Sequence, residues 1–176
     1  KLIAAVPAAD LAEMHEPPDF VGYNIYNGWQ VQRGPGGEPQ YVDRGSGYPR
    51  TALKWPITPE VMDWGVRFLY ERYPLPTMIS ENGLSCNDKV YLDGAVHDVD
   101  RIDFLHRYLL ALGRAAEAGV DLRGYFHWSL TDNYEWNQGY NERFGLIFVD
   151  YTTQQRLVKD SGHWFAEVAK TNGANL

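Results

Sequence analysis

Apolar positions in this chain fall into short runs separated by longer amphipathic stretches. Phe20 to Tyr26 follows Pro17-Pro18-Asp19 and is apolar and aromatic, which predicts a strand. Residues 27–57 hold Gly34-Pro35-Gly36-Gly37 and Gly45-Ser46-Gly47-Tyr48-Pro49, which predict a long loop. Thr58-Pro59-Glu60 predicts a helix start, with a capping hydroxyl, a proline in the first turn and an acid near the positive end of the dipole. Val61, Trp64, Phe68 and Leu69 then recur at helical spacing. Pro74 and Pro76 stop that helix before an apolar strand, Leu75 to Ser80. After a loop to about Asp98, Asp100 predicts the cap of a helix from Arg101 to Ala118, closed by Gly119. Its inward stripe reads Ile102, Leu105, Leu109 and Leu112. Val120 to Trp128 contains a third strand, and Gly145 to Val149 with Arg156 to Val158 predict a hairpin across Asp150-Tyr151-Thr152-Thr153. Ser161 to Lys170 predicts a last helix with Trp164, Phe165 and Val168 inward.

Helices between apolar strands imply parallel strands joined by crossovers, an α/β class. Three strands cannot close a barrel, which takes eight, and an open sheet with two free edges invites aggregation. Two architectures fit: a small open α/β domain, or the last part of a barrel whose other strands lie elsewhere. The chain starts at Lys1, and Leu2-Ile3-Ala4-Ala5-Val6-Pro7 is too short for a secretion-signal core. The expectation is a stretch cut from within a longer polypeptide.

Composition narrows the chemistry. A length of 176 residues suffices for one core. Acidic residues number 23 against 16 basic, a formal charge of −7. That disfavours nucleic acid, which needs a basic footprint, and disfavours strongly anionic substrates except where a local pocket overrides the net charge. The single cysteine, Cys86, excludes an internal disulfide and fits a reducing, cytoplasmic setting as a plain loop thiol. No apolar run approaches the ~20 residues of a membrane span. No His/Cys/Asp spacing suggests a metal, and Gly34-Pro35-Gly36-Gly37 lacks the Lys-Ser/Thr of a phosphate loop, so no cofactor is expected. His97, His106 and His127 read as structural. Aromatic content of 14%, with six Trp and twelve Tyr, exceeds what such a core needs and suggests ligand contacts.

Two clusters carry that suggestion. The apolar run ending in Met78-Ile79-Ser80-Glu81-Asn82-Gly83 presents a carboxylate at a strand end, where a β/α barrel builds its site. The second cluster runs from Tyr125 to Trp136 and ends in Asp132-Asn133-Tyr134-Glu135-Trp136. Tryptophan faces cover the C–H faces of pyranose rings, and carboxylates and amides bind hydroxyls. The plain alternatives are a glutamate that merely faces water and tryptophans that pack a core; for Trp64 and Trp164, at helical spacing, core packing is the expectation.

Asp19-Phe20-Val21-Gly22-Tyr23-Asn24-Ile25-Tyr26, Ile79-Ser80-Glu81-Asn82-Gly83 and Trp128-Ser129-Leu130-Thr131-Asp132-Asn133-Tyr134-Glu135-Trp136 resemble three successive blocks of glycoside hydrolase family 1, the β-glucosidase family. Arg143-Phe144-Gly145-Leu146 and Val149-Asp150-Tyr151 continue the resemblance, which runs from about Asp19 to Gly173. It implies the C-terminal portion, about strands 6–8, of a (β/α)8 TIM barrel, with residues 1–176 as one segment of a single catalytic domain. It implies a retaining β-glycosidase acting on a β-glucoside or β-linked oligosaccharide, with Glu81 as nucleophile and Tyr26 orienting it. It further implies that Asn24, Trp55, Trp128, Glu135, Trp136 and Phe144 bind substrate, Glu135 gripping two hydroxyls and Trp55 lining the aglycone side. A cis peptide bond is implied at Trp128-Ser129. The family's acid/base motif, Thr-x-Asn-Glu-Pro, does not occur: Glu16-Pro17 lacks the preceding Asn, and Glu38-Pro39 lies in a Gly-rich loop. The expected partner is therefore the N-terminal portion of the barrel, in the same or a separate chain. A non-catalytic carbohydrate-binding piece and a structural α/β module stay open beside this reading.

Overall fold

The computed structural model describes residues 6–176, so most of the segment weighed as a signal core lies outside the described residues. Its centre is a parallel sheet of β1 (Val21–Asn24), β4 (Thr77–Asn82) and β5 (Leu122–His127), in the order β1-β4-β5. Between β1 and β4 lie an antiparallel pair, β2 (Val31–Arg33) with β3 (Pro39–Tyr41), and helix α2 (Val66–Arg72, led by the turn Val61–Gly65). Helix α3 (Val99–Glu117) connects β4 to β5. The pair β6 (Ile147–Val149) and β7 (Arg156–Val158) and helix α4 (Asp160–Lys170) follow, while α1 (Ala8–Met14) precedes the sheet and buries none of its residues.

One face of the sheet carries the core. Ile79 from β4 meets Phe104, Leu105, Tyr108, Ala111 and Leu112 of α3, with Tyr125 and Phe165 packed against them. Phe104 and Tyr108 stack with centroids 3.8 Å apart. The other face is open. Side chains built on Gly22 and Gly124 would point at Ser80, Met78 and Phe126 on this side, and Phe126, Asn24 and Ser80 are exposed there. Among the described residues no helix is long and apolar enough to cross a membrane.

Four expectations need correction. The loop 27–57 contains the β2–β3 pair, whose strands are exposed and therefore lack the apolar alternation that marks a half-buried strand. Helix α2 opens with a π-helical turn, Val61–Gly65, before the α-helical Val66–Arg72. That wider turn shifts the inward positions to Met62 and Val66 and leaves Trp64 and Phe68 exposed, tilted against each other at 6.2 Å, so Trp64 is not a core residue. The Thr58 hydroxyl does not cap this helix; it accepts the Gly28 N–H at 2.9 Å. Helix α3 begins before Asp100, and its buried face runs Arg101, Phe104, Leu105, Tyr108, Ala111 and Leu112, with Ile102 and Leu109 at its margin. Gly119 does end it, at φ +101°. Trp164 is half-buried against the core, as its spacing predicts.

Candidate active site

Strand β4 runs through Glu81 to Asn82 rather than stopping at Ser80. Its register slips by one residue against both neighbours: Tyr23 pairs with Ile79 but Asn24 with Glu81, and on the other side Tyr125 pairs with Ile79 but His127 with Asn82. The extra residue is a bulge, a device that re-aims a side chain. Ser80 is exposed, Glu81 half-buried and Asn82 fully buried. Asn82 closes the sheet beneath the site. Its Nδ2 donates to the Ile25 carbonyl at 2.8 Å, and its Oδ1 accepts the Tyr125 hydroxyl at 2.7 Å. Gly83 has no room for a side chain, since a Cβ would collide with the Trp128 carbonyl oxygen. Its role is close approach of two strand ends.

The Tyr26 hydroxyl donates to Glu81 Oε2 at 2.7 Å. The Tyr26 phenol is pushed far above its ordinary range by burial, by this bond, and by the charges of Glu81 and Glu135, so it serves as a donor. The Trp128 N–H donates to the Asn82 carbonyl at 2.8 Å, which sets Trp128 beside the end of β4 that carries Glu81. The backbone of Tyr26 is held from α3: the Tyr108 hydroxyl donates to its carbonyl at 3.2 Å and accepts the Thr58 N–H at 2.7 Å. Its ring meets Trp55 edge-on at 5.3 Å and Phe144 at 6.4 Å. Trp128 Nε1 donates to Glu135 Oε2 at 3.3 Å, and the Trp128–Ser129 peptide is cis.

Glu81, Tyr26, Trp55, Trp128 and Glu135 are thus brought together. Three expected residues sit differently. Phe144 is 2% exposed and backs Tyr26 and Trp55 instead of presenting a face of its own. Asn24 pairs with Glu81 in register, yet its Oδ1 accepts the Ser80 hydroxyl at 2.9 Å on the open face. Trp136 is 76% exposed, at φ +44°.

Below the site lies a charge network that the sequence reading missed. Lys159 is fully buried, with Nζ 2.5 Å from Asp88 Oδ2 and 2.8 Å from Asp132 Oδ1. Arg101, also fully buried, donates to Asp88 at 2.8 Å, to Asp98 and to the Arg143 carbonyl. Asp132 further takes Arg143 Nη1 at 2.5 Å and the Gly145 N–H at 3.0 Å. These bonds pin the segment carrying Trp128 and Glu135 to α3 and α4. His127 lies beside the network. Burial, with the charges of Arg101 and Lys159, lowers its imidazole to about 3, so it stays neutral. Burial pushes the Cys86 thiol up to about 12, which keeps it unreactive. His97 is an exposed clamp between Asp160 at 2.7 Å and Asp93 at 2.9 Å; bonds to those two carboxylates raise it to about 9.

Comparison with known proteins joins these observations. The chain is 45% identical over 167 residues to beta-glucosidase A of Thermotoga maritima, covering 93% of this chain and 37% of that protein. It is 41% identical over 174 residues to a bifunctional beta-D-glucosidase/beta-D-fucosidase of Bifidobacterium breve, covering 89% and 38%. The solved structure of the Thermotoga maritima beta-glucosidase in complex with glucoimidazole superposes with a TM-score of 0.85 at 45% identity, over 94% of this chain and 37% of that one. The chain therefore spans little more than a third of the length of these relatives. The model of glycosyl hydrolase family 1 matches residues 2–174, and the chain belongs to that family.

Proposed function

We propose that this chain is the nucleophile-bearing part of a retaining β-glycosidase that hydrolyses terminal β-D-glucosyl residues. The single observation that carries the reading is the Tyr26–Glu81 hydrogen bond at a strand end. In this reading β1, β4 and β5 are strands 6–8 of a (β/α)8 barrel. The open sheet face then becomes barrel interior, covered by the N-terminal strands from the same polypeptide or a second chain. The relatives named above are called β-glucosidases, which supports glucose as the sugar.

The chemistry follows from two carboxyl groups on opposite sides of the glycosidic bond. A carboxylate oxygen of Glu81 attacks the anomeric carbon as the bond to the leaving oxygen breaks. A glutamate from the preceding part of the barrel gives its proton to that oxygen. The same glutamate then takes a proton from water, whose oxygen displaces Glu81 and releases β-glucose. Tyr26 holds the attacking carboxylate in line, and Phe144 holds Tyr26 and Trp55. Glu135 accepts hydroxyls of the sugar by charge-assisted bonds, Trp128 orients Glu135, and Trp128 and Trp136 wall the ring. Asn24 lines the site from the neighbouring strand. The whole operates in the cytoplasm, where Cys86 stays reduced.

The test is Glu81→Gln in the barrel-complete protein, assayed on 4-nitrophenyl β-D-glucoside. Turnover should vanish while glucose affinity persists. In Glu81→Gly, added azide should restore aglycone release and form α-glucosyl azide. Undiminished turnover in Glu81→Gln would refute the assignment; glucose binding without turnover in the unmodified protein would favour a carbohydrate-binding role.

A further inference from the structure

A cleft of about 720 Å³ is lined by Trp55, whose ring also meets Tyr26, and the sugar-site residues do not account for its charge. Its aromatic walls are Trp55, Trp29 and Tyr41. Its charged groups are Arg44, Arg50 and Lys54, against the single carboxylate of Asp43. This excess of cations runs against a chain whose formal charge is −7.

The cations are not used up by the fold. Among the described residues no carboxylate forms an ion pair with Arg44, Arg50 or Lys54. Arg44 is tied to the loop by a bond to the Gly28 carbonyl at 3.0 Å and lies over the Tyr48 ring at 4.5 Å. Arg50 and Lys54 stand on the turn that carries Trp55, closed by the Arg50–Pro56 bridge and a Lys54 N–H to Thr51 carbonyl bond of 2.9 Å. Lys54 takes φ +67°, a conformation that favours glycine. The aromatic walls are equally unspent: Trp29 and Tyr41 meet edge to face at 6.0 Å while 79% and 74% exposed. Paired aromatic faces left in water are surfaces for a ligand.

We propose that this cleft selects an aglycone that is planar, aromatic and carboxylated. The ring lies between Trp55 and the Trp29–Tyr41 pair, and the carboxylate meets Arg50 and Lys54. A guanidinium fork and an ammonium are the groups that recognise a carboxylate. The inference rests on the β-glycosidase reading of Glu81, because it assigns the leaving-group side of that site. At this cleft the net negative charge of the chain is locally overridden.

The test compares kcat/KM for 4-carboxyphenyl β-D-glucoside and for its methyl ester in the barrel-complete protein. The ratio of the two is followed in the Arg50→Gln/Lys54→Gln variant and in Lys54→Gly, which suits the backbone at that position. The acid-to-ester ratio should fall about tenfold in the double variant and about threefold in Lys54→Gly, the scale of partly exposed charge pairs. In the unmodified protein it should narrow as salt rises from about 50 to 500 mM. An unmoved ratio with the ester still hydrolysed overturns this inference alone. Failure of the unmodified protein to hydrolyse either compound or 4-nitrophenyl β-D-glucoside overturns the glycosidase reading itself.

Discussion

Replacing Asp132 by alanine should destabilise the protein by about 4 kcal/mol. The carboxylate is buried and serves Lys159 Nζ at 2.8 Å, Arg143 Nη1 at 2.5 Å and the Gly145 N–H at 3.0 Å. Without it Lys159, fully buried, keeps only Asp88, which Arg101 already shares. Removing one partner of a buried pair costs about 3–5 kcal/mol, because the charge left behind is uncompensated. The orphaned Gly145 N–H carries its own penalty of ~1–3 kcal/mol, which overlaps the first since one carboxylate serves both. With a urea slope of about 2 kcal/mol per molar, the unfolding midpoint should drop by about 2 M, read by tryptophan fluorescence. Asp132→Asn, which keeps an acceptor for Gly145, should fall less. Asp132→Ala combined with Lys159→Met should be milder than Asp132→Ala alone, since no buried cation is then stranded. A shift below about 0.5 M, or a double variant worse than the sum of its parts, would refute the argument.

Tyr26→Phe keeps the ring between Trp55 and Phe144 and removes only the donor to Glu81. A hydrogen bond to a charged group is worth about 1.5–3 kcal/mol, so kcat/KM should fall by ~10- to 100-fold; a loss under about threefold would remove Tyr26 from the mechanism. His127 makes stability depend on acid: its folded value of about 3 lies below the unfolded 6.5, so between these limits the unfolded chain binds the extra proton. Stability should therefore decline as pH drops from about 6.5 toward 3, and His127→Asn should flatten that slope by up to one proton; an unchanged slope would exclude the residue as the cause.

The strands were legible where apolar runs meet prolines, as at Leu75 to Ile79, and the carboxylate at their end was legible because a charge breaking an apolar run stands out. What the pattern hides is geometry of a single residue. The bulge in β4 inserts one position at Ser80, and nothing in Ser80-Glu81-Asn82 distinguishes an inserted residue from a strand that has ended. The π-helical turn at Val61–Gly65 likewise turns Trp64 outward without altering its spacing from Phe68. The charge network was invisible for another reason. Lys159 meets carboxylates 27 and 71 residues away, so no local window contains both members of a pair. Arg101 stands at the start of the α3 pattern, where a charged residue is ordinarily solvated, and its bonds to Asp88 and Asp98 make burial tolerable.

Network and bulge divide the site between two supports. Glu81 and Tyr26 are set by the sheet, through the slipped register of β4 and through Asn82, which bonds to both neighbouring strands. Glu135 and Trp128 are carried into a loop beyond the sheet, and that loop is tied down by Asp132. The Asp132 N–H donates to the Ile147 carbonyl at 2.9 Å, and its side chain reaches Arg143 and Lys159. Loop segments are easily displaced unless such bonds hold them. The placement of Glu135 thus depends on buried ion pairs and that of Glu81 on backbone pairing. Where the fold persists, weakening Asp132 should therefore loosen Glu135 while leaving the Tyr26–Glu81 bond standing, and weakening Tyr26 should do the reverse.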